Sequence, residues 1–331
     1  MKHHYLKLFI AILPGQVLLW ILILPNYATS QQWHQSSLAA FNKYRDFGAY
    51  GGLERVTGVF VQYRAQWDRL LENPRMFYLG VNTPMYELGG AVGIDIQNNK
   101  EGQFNLTRLR GSYNYVLSTP VGFLSLGGRL SLNSLGLDGN NLRTPDGDYA
   151  DGILNHNDPL LTNSQSSGFG IGWDLSAYFI GKKIQFGLSV AEIPSGRIKS
   201  KNFDIEMRRN ISSIIQYRTG LADGLVWQTG LLARTDMVVL QTEVYNHFLY
   251  RNDYTIGLNL RGYNTNSLDA LSIIFGYRLN DVYSFYYSYD FGLSSLRKVN
   301  DGSHDVVLRI KFRSLSGQGL KPPVIYNPRF L

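Results

Sequence analysis

The sequence predicts an all-β protein: a transmembrane antiparallel β-barrel of about 14 strands, with long outer loops and short periplasmic turns. Three observations support this prediction. The chain is rich in tyrosine (22) and glycine (34), and only 17% of its 331 residues are charged, which is typical of membrane barrels with aromatic girdles. Segments of about ten residues alternate between apolar and polar side chains. Short and long connections between these segments follow one another in a regular order along the chain.

The alternation is clearest in the stretch 281–314. From Tyr283 to Tyr289 every second residue is aromatic, and from His304 to Arg313 apolar residues alternate with mostly polar ones. Since neighbouring side chains of a strand point to opposite faces, one face of this hairpin would meet lipid and the other the barrel interior. The same pattern predicts strands in the ranges 55–67, 75–82, 87–97, 103–117, 121–135, 167–180, 183–191, 203–219, 224–234, 237–248, 252–262, 268–280, 282–290 and 304–314.

The lengths of the connections support a membrane barrel independently. If the first strand starts at the periplasmic side, the odd-numbered connections are the outer ones. The longest connections, 136–166, 192–202 and 292–303, are all odd-numbered, whereas the even-numbered ones are short. The short odd-numbered connection at Thr235-Asp236 is an exception. Short periplasmic turns and longer outer loops are typical of outer-membrane barrels, whereas a soluble β-protein has no reason to sort its loops in this way.

The ends of the chain predict export and three further segments. Residues 1–30 have a positive start, an apolar stretch and the small residues Ala-Thr-Ser before Gln31, as in a cleaved signal peptide. A retained anchor helix is the alternative, although Pro14 interrupts it. We expect residues 31–54 to form a periplasmic N-terminal segment, residues 55–314 the barrel, and residues 315–331 a periplasmic tail. The expected location is the outer membrane of a Gram-negative bacterium.

The composition excludes several kinds of chemistry. The chain has no cysteine, so disulfides, thiolate metal sites and thiol catalysis are excluded. Without residues 1–30 the charge balance is 30 basic against 25 acidic residues, because Lys2 and Lys7 are the only charged residues removed. A net charge of +5 is too mild to predict nucleic-acid binding. No histidine lies in a hydrolase motif, so neither a catalytic site nor a cofactor is predicted.

Charged residues on the inward register predict a polar barrel interior. Two interpretations remain open: the charges could line a wide anion-preferring pore, or they could pair with one another and fill a narrow lumen. The residues of this predicted network are Arg64, Arg108, Arg110, Arg129, Arg309 and Lys311 with Asp95, Asp174 and Glu243.

Two further patterns could each reflect a binding site or could be explained by structure alone. The acidic loop 136–166 could hold calcium or bind a partner protein, but it lacks EF-hand spacing, and a solvated outer loop explains the same residues. Its carboxylates are Asp138, Asp146, Asp148, Asp151 and Asp158. The run Gly168-x-Gly170-x-Gly172 lies within an alternating strand without a following helix. It therefore predicts small residues on a lumen face, where opposing walls or a plug come close, rather than a phosphate loop.

Two motifs resemble the PorP/SprF family of outer-membrane proteins. The run Tyr-Arg-Ala-Gln-Trp on the first strand resembles the YRxQW signature of that family, and the closing hairpin resembles its YSYD, SxL and GSHE ending. The residues that carry the likeness are Tyr63, Arg64, Gln66, Trp67, Tyr287, Tyr289, Asp290, Ser294, Leu296, Gly302, Ser303 and His304. Asp305 stands where the family usually has glutamate, and residues 47–52 stand where an Asn-Pro-Ala-type segment is usual.

The resemblance implies a barrel that works with the type IX secretion and gliding machinery. The implied partners are periplasmic and outer-membrane components of that machinery, a secreted adhesin-like surface protein, and outer-membrane lipid. We expect a non-enzymatic scaffold in which the outer loops hold the exported protein. A passive porin or small-solute transporter is the alternative. If the last strand closes against the first, the two motifs would flank the seam of the barrel.

Overall fold

The computed structural model describes residues 35–144, 146–149, 155–157, 165–193, 196–200, 204–263 and 267–312. They form a closed antiparallel barrel whose wall has 14 strands, as the sequence predicts. The wall strands are β1 (Thr57–Ala65), β2 (Arg75–Met85), β3 (Gly90–Glu101), β4 (Phe104–Thr119), β5 (Gly122–Asp138), β6 (Gln165–Gly181), β7 (Ile184–Ala191), β10 (Asn210–Ala222), β11 (Leu225–Thr235), β12 (Leu240–Tyr250), β13 (Tyr254–Tyr263), β14 (Ser267–Arg278), β15 (Tyr283–Gly292) and β16 (Ser303–Phe312). Two short strands, β8 (Arg197–Lys199) and β9 (Asp204–Glu206), form a hairpin between β7 and β10.

The wall closes because its first and last strands pair, as predicted. Val61 of β1 lies opposite Leu308 of β16 in an antiparallel register. Alternation then sorts the side chains: on β1, Tyr63 is exposed on the outer face, whereas Gln62 and Arg64 are buried inside. Outward apolar residues on every wall strand leave an apolar belt around the barrel, which suits a lipid environment.

One predicted strand is too long at its start. The sequence predicts a strand over 203–219, but β10 begins at Asn210 because the preceding connection contains the β8–β9 hairpin. This hairpin packs on the inner face of β6 at Gly168 and Gly170, two of the three spaced glycines. A Cβ atom on Gly170 would lie 2.5 Å from the carbonyl oxygen of Arg197. The glycines therefore permit a close approach inside the barrel, but the segment that approaches is a hairpin of the β7–β10 connection rather than an opposing wall or a plug.

The two ends of the barrel differ in their connections. At the short-turn end, β4 and β5, β6 and β7, and β10 and β11 are joined by the two-residue turns 120–121, 182–183 and 223–224. At the opposite, long-connection end lie the connections 139–164 and 293–302, together with the β8–β9 hairpin. Among the described residues no helix is long and apolar enough to cross a bilayer.

Residues 35–54 lie inside the barrel, and we call this segment the plug. It contains the short helix α1 (Lys43–Asp46) and a 3₁₀ turn, Gly48–Tyr50. It contacts all 14 wall strands. The plug starts near the long-connection end, where Gln35 hydrogen-bonds the Tyr263 hydroxyl, and ends at the short-turn end, where Glu54 pairs with Lys311.

The position of the plug corrects the expectation of a periplasmic segment over 31–54. Its apolar side chains lack strand alternation, so the sequence pattern did not reveal where they are buried. Ala39 and Phe47 pack against inward-facing apolar side chains of the wall, among them Ile214 and Leu232, while Leu38 packs near Ile274. Residues 1–34 and 315–331, including the predicted signal peptide and tail, lie outside the described residues.

Candidate functional site

The two sequence motifs meet across the seam of the barrel. Arg64 of β1 points inward with 2% of its side chain exposed, and its Nη2 lies 2.7 Å from the carboxylate of Asp290 on β15. Its Nη1 lies 3.8 Å from the carboxylate of Asp305, its neighbour across the β1–β16 pair. Because a buried guanidinium needs anionic partners, this ion pair holds the first strand against the last hairpin.

Other residues of the two motifs contact one another at the same seam, closer to the long-connection end of the barrel. The backbone N–H of Trp67 donates to the Ser303 hydroxyl at 3.1 Å. The Tyr287 hydroxyl hydrogen-bonds His304 Nδ1 at 2.8 Å, and the Tyr289 ring packs edge-on against the same histidine. These contacts fix the geometry of the hairpin around the buried ion pair.

Gly302 occupies a position that requires glycine. Its φ is +94°, and an added Cβ would lie 2.6 Å from the carbonyl oxygen of Asp290. The carbonyl of Gly302 accepts a hydrogen bond of 2.7 Å from the backbone of Asp68, which ties the β15–β16 connection to the β1–β2 connection.

The remaining motif residues have simpler positions. Gln66 is buried directly after β1, and its N–H donates to the Pro74 carbonyl at 2.9 Å. The Ser294 carbonyl accepts a bond of 3.1 Å from Arg297 at the 3₁₀ turn Ser295–Lys298. The side chain of Leu296 lies outside the described part of the chain.

The seam ion pair also holds the start of the plug. The Ser37 hydroxyl donates to Asp290 at 2.7 Å, and the Ser36 hydroxyl donates to Asp305 at 2.7 Å. Gln62 of β1 donates to both the Ser36 hydroxyl (2.7 Å) and Asp305 (2.9 Å).

Arg261 on β13 completes this cluster. Its guanidinium contacts Asp290 at 3.1 Å, the Ser37 hydroxyl at 3.0 Å and Asp269 at 2.9 Å. Glu243 on β12 lies 3.9 Å from the same guanidinium. We call the cluster the latch; its residues are Ser36, Ser37, Gln62, Arg64, Arg261, Asp290 and Asp305.

A second cluster binds the middle of the plug on the opposite wall. Arg110 pairs with Asp95 at 2.7 Å, and Arg129, 4.0 Å from the same carboxylate, donates to the backbone carbonyls of Tyr44 and Arg45 in the plug. The Arg129 distance to the Arg45 carbonyl is 2.8 Å. One wall arginine, Arg129, therefore satisfies two carbonyls of the short helix α1 that have no following turn to bond to.

The same wall carries a buried pair next to the β7–β10 connection. Arg108 lies 3.4 Å from Glu192, and the Glu192 N–H donates to Asp174 at 3.0 Å. Burial raises the pKa of the Glu192 carboxyl, while the nearby Arg108 opposes the rise. Burial and the nearby cation thus have opposite effects on the pKa of the Glu192 carboxyl.

The end of the plug pairs with the last strand at the short-turn end. Glu54 accepts from Arg309, and its carboxylate lies 3.4 Å from the Lys311 ammonium. Within the plug, the Tyr50 hydroxyl donates to Glu54 at 2.7 Å. At the start of α1, Lys43 donates to Gln185 of β7 at 2.7 Å.

The predicted charge network is thus divided into separate groups. The sequence placed the inward cations opposite Asp95, Asp174 and Glu243, but Arg64, Arg309 and Lys311 pair with other carboxylates. The partners missed by sequence reasoning are Asp290, Asp305, Glu54, Glu192, Asp46 and Asp269. The inward register of Asp290 and Asp305 could have identified those two, whereas the plug residues gave no such signal.

The acidic loop is partly described and forms a local structure. Asp138 accepts hydrogen bonds from the Asn140 N–H (3.1 Å) and the Asn141 side chain (2.9 Å), while Asp146 and Asp148 are exposed. Asp151 and Asp158 lie outside the described residues. No group of three or more histidine or acidic side chains suited to a metal ion occurs in the described ranges.

The buried histidine of the lumen has a packing role. His247 stacks between Phe41 of the plug and Tyr245 of the wall, each with ring centroids 4.9 Å away. Its Nε2 hydrogen-bonds Asn259 at 2.9 Å, and Asn259 donates to the Ser37 carbonyl at 2.8 Å. These contacts connect the aromatic stack to the latch.

Comparison with known proteins identifies the family. The chain matches the family described as "Type IX secretion system membrane protein PorP/SprF" over residues 28–310. The protein belongs to the PorP/SprF family. The matched region spans the plug and nearly all of the barrel, so the motifs that bind the plug at the seam lie within it.

Solved structures with a similar fold are distant in sequence. Omp33, an outer membrane protein of Acinetobacter baumannii, is 7% identical, with 78% of this chain and 98% of that chain covered and a TM-score of 0.46. The KdgM porin is 11% identical, with coverages of 77% and 99% and a TM-score of 0.34. A TodX deltaS2S3 mutant monoaromatic hydrocarbon channel is 9% identical, with coverages of 85% and 94% and a TM-score of 0.42. No curated protein matches the chain.

Proposed function

We propose that this PorP/SprF family protein is a non-enzymatic outer-membrane partner of the type IX secretion and gliding machinery. It would help a cognate large protein to be secreted or attached to the cell surface. In this proposal residues 1–30 are a cleaved signal peptide. The short-turn end and the tail 315–331 face the periplasm, where they contact the machinery. The loop 139–164 and its neighbour 293–302 face outwards and hold the exported protein.

The plugged lumen is the observation that favours a scaffold over a pore. Residues 35–54 contact every wall strand. Hydrogen bonds from Ser36 and Ser37 to buried carboxylates hold the start of the segment, and an ion pair between Glu54 and Lys311 holds its end. A barrel whose interior is filled in this way offers no free path for solutes, so its useful surfaces are its two ends. Family membership supports the machinery as the partner at these ends.

Co-purification tests the proposal. The protein is extracted in detergent with its native partners, as wild type and as a variant in which residues 139–164 are replaced by a short turn. We expect the wild type to retain a type IX component and a surface protein, and the variant to lose only the surface protein. A matched control replaces the turn 223–224 by Asn-Gly and should retain both. Finding no type IX component with any of the three proteins would refute the proposal.

Conductance in planar bilayers separates the scaffold from a passive porin. We expect the wild type to show no steady current, because the plug fills the lumen. A variant lacking residues 35–54 should conduct, since fourteen strands about 4.8 Å apart and tilted by about 40° enclose a backbone cylinder about 28 Å wide. A steady current from the wild-type protein would favour the porin instead.

A further inference from the structure

An apolar groove of about 420 Å³ lies on the outer face of the barrel near its short-turn end. It crosses the strands β11 to β15 and is lined by outward-facing side chains. These include Leu225, Phe248, Tyr250, Tyr254, Ile256 and Phe275. The groove belongs to the apolar belt of the wall, where the surrounding medium in the proposed setting is lipid. Its volume falls within the range of small-molecule sites.

A cation lies against one of the side chains that line this groove. The Arg251 guanidinium is 5.3 Å from the centre of the Tyr250 ring, which lines the groove. Among the described residues, Arg251 has no carboxylate within ion-pair distance, whereas Arg278 nearby is paired with Asp253 at 2.9 Å.

The backbone at Arg251 indicates that the arginine is not there for the turn. Arg251 and Asn252 have φ values of +53° and +57°. A turn of this kind favours Asn or Gly at both positions, because a bulky residue in the left-handed region costs about 1 kcal/mol. Replacing Arg251 by Asn therefore removes the cation while favouring the same turn.

We propose that the groove binds an acyl chain of a glycerophospholipid whose anionic phosphate is held by Arg251. A guanidinium is the preferred protein group for a phosphate, since it offers several N–H donors in one plane. The apolar walls take the chain. With the short-turn end towards the periplasm, this lipid belongs to the inner leaflet. The site is separate from the partner surfaces of the proposed function.

Native mass spectrometry tests the site on the full-length protein stripped of lipid in detergent. Dioleoyl-phosphatidylglycerol is titrated into the wild type, R251N and the matched control R55N. Arg55 also has a positive φ (+62°) and lies 4.9 Å from an aromatic ring, but this ring, Phe123, does not line the groove as Tyr250 does. We expect one tightly held lipid in the wild type and R55N, and binding about fivefold weaker in R251N.

Two further measurements distinguish a bound lipid from a bound free phosphate. Inorganic phosphate in excess should leave the lipid bound, because the groove contributes most of the affinity through the acyl chain. I256W, which fills the groove, should weaken binding even though Arg251 is present. Equal binding by the wild type and R251N, or displacement of the lipid by phosphate alone, would overturn the assignment.

Discussion

Removing the Asp290 carboxylate should destabilise the barrel more than any surface change at the same end. The carboxylate is 2% exposed and accepts from the Ser37 hydroxyl and the guanidiniums of Arg64 and Arg261. Hydrogen bonds to charged groups contribute about 1.5–3 kcal/mol each. In D290A, Arg261 keeps Asp269 at 2.9 Å, which offsets part of the loss. Breaking a buried ion pair typically costs about 3–5 kcal/mol, which is the loss that we expect.

D290N provides an intermediate case, because it keeps the shape and one acceptor oxygen while removing the charge. We expect it to lose about half as much stability as D290A. D301N is the matched control: Asp301 pairs with Arg69 at 3.4 Å, but their side chains are 61% and 65% exposed. An exposed pair of this kind contributes about 0–1 kcal/mol.

The stability is measured by urea unfolding of the protein in vesicles, followed by tryptophan fluorescence and by gel mobility of the folded barrel. A cycle with S37A separates the plug from the seam: the two mutations should couple by about 1–2 kcal/mol, since the groups are in direct contact. If D290A unfolds within about 1 kcal/mol of D301N, the ion pair does not hold the seam in the way that its geometry implies.

Two further predictions concern the hairpin and the orientation of the barrel. G302A should lose about 2 kcal/mol or more in the same urea assay, whereas G102A, with φ +56° and nothing within 4 Å of an added Cβ, should lose about 1 kcal/mol; equal losses would contradict the crowding at Gly302. Because the chain has no cysteine, a membrane-impermeant maleimide on intact cells should label D301C, whereas K183C should react only after permeabilisation. The reverse result would invert the proposed orientation.

The strand pattern of the wall could be predicted because it depends on local alternation. On β1, the residues from Val59 to Arg64 alternate between lipid and interior, and every side chain except the inward-facing Phe60 signals its own face. The closure of β1 against β16 followed from strand count and connection parity. These features need no knowledge of distant contacts.

The plug could not be predicted, since most of its contacts with the wall are with residues far away in the chain. Ser36 and Asp305 are 269 positions apart, and Ser37 and Asp290 are 253 apart. The segment has no periodic pattern, because its neighbours surround it on all sides rather than on one face. The inward apolar residues Ile214 and Leu232 were the available signal, for a water-filled lumen gives them no favourable environment.

The position of the latch links the docking of the plug to the closure of the barrel. The plug precedes β1, yet its serines bind carboxylates on the last two strands. Neither contact exists until β15 and β16 lie beside β1, and contacts of such large sequence separation form late because loop closure opposes them. Arg64 reaches the same two carboxylates from β1. The first strand, the last hairpin and the plug therefore share one set of charges, so the completed seam is also the site that holds the plug. A mutation at Asp290 should accordingly weaken the docking of the plug and the closure of the barrel at once.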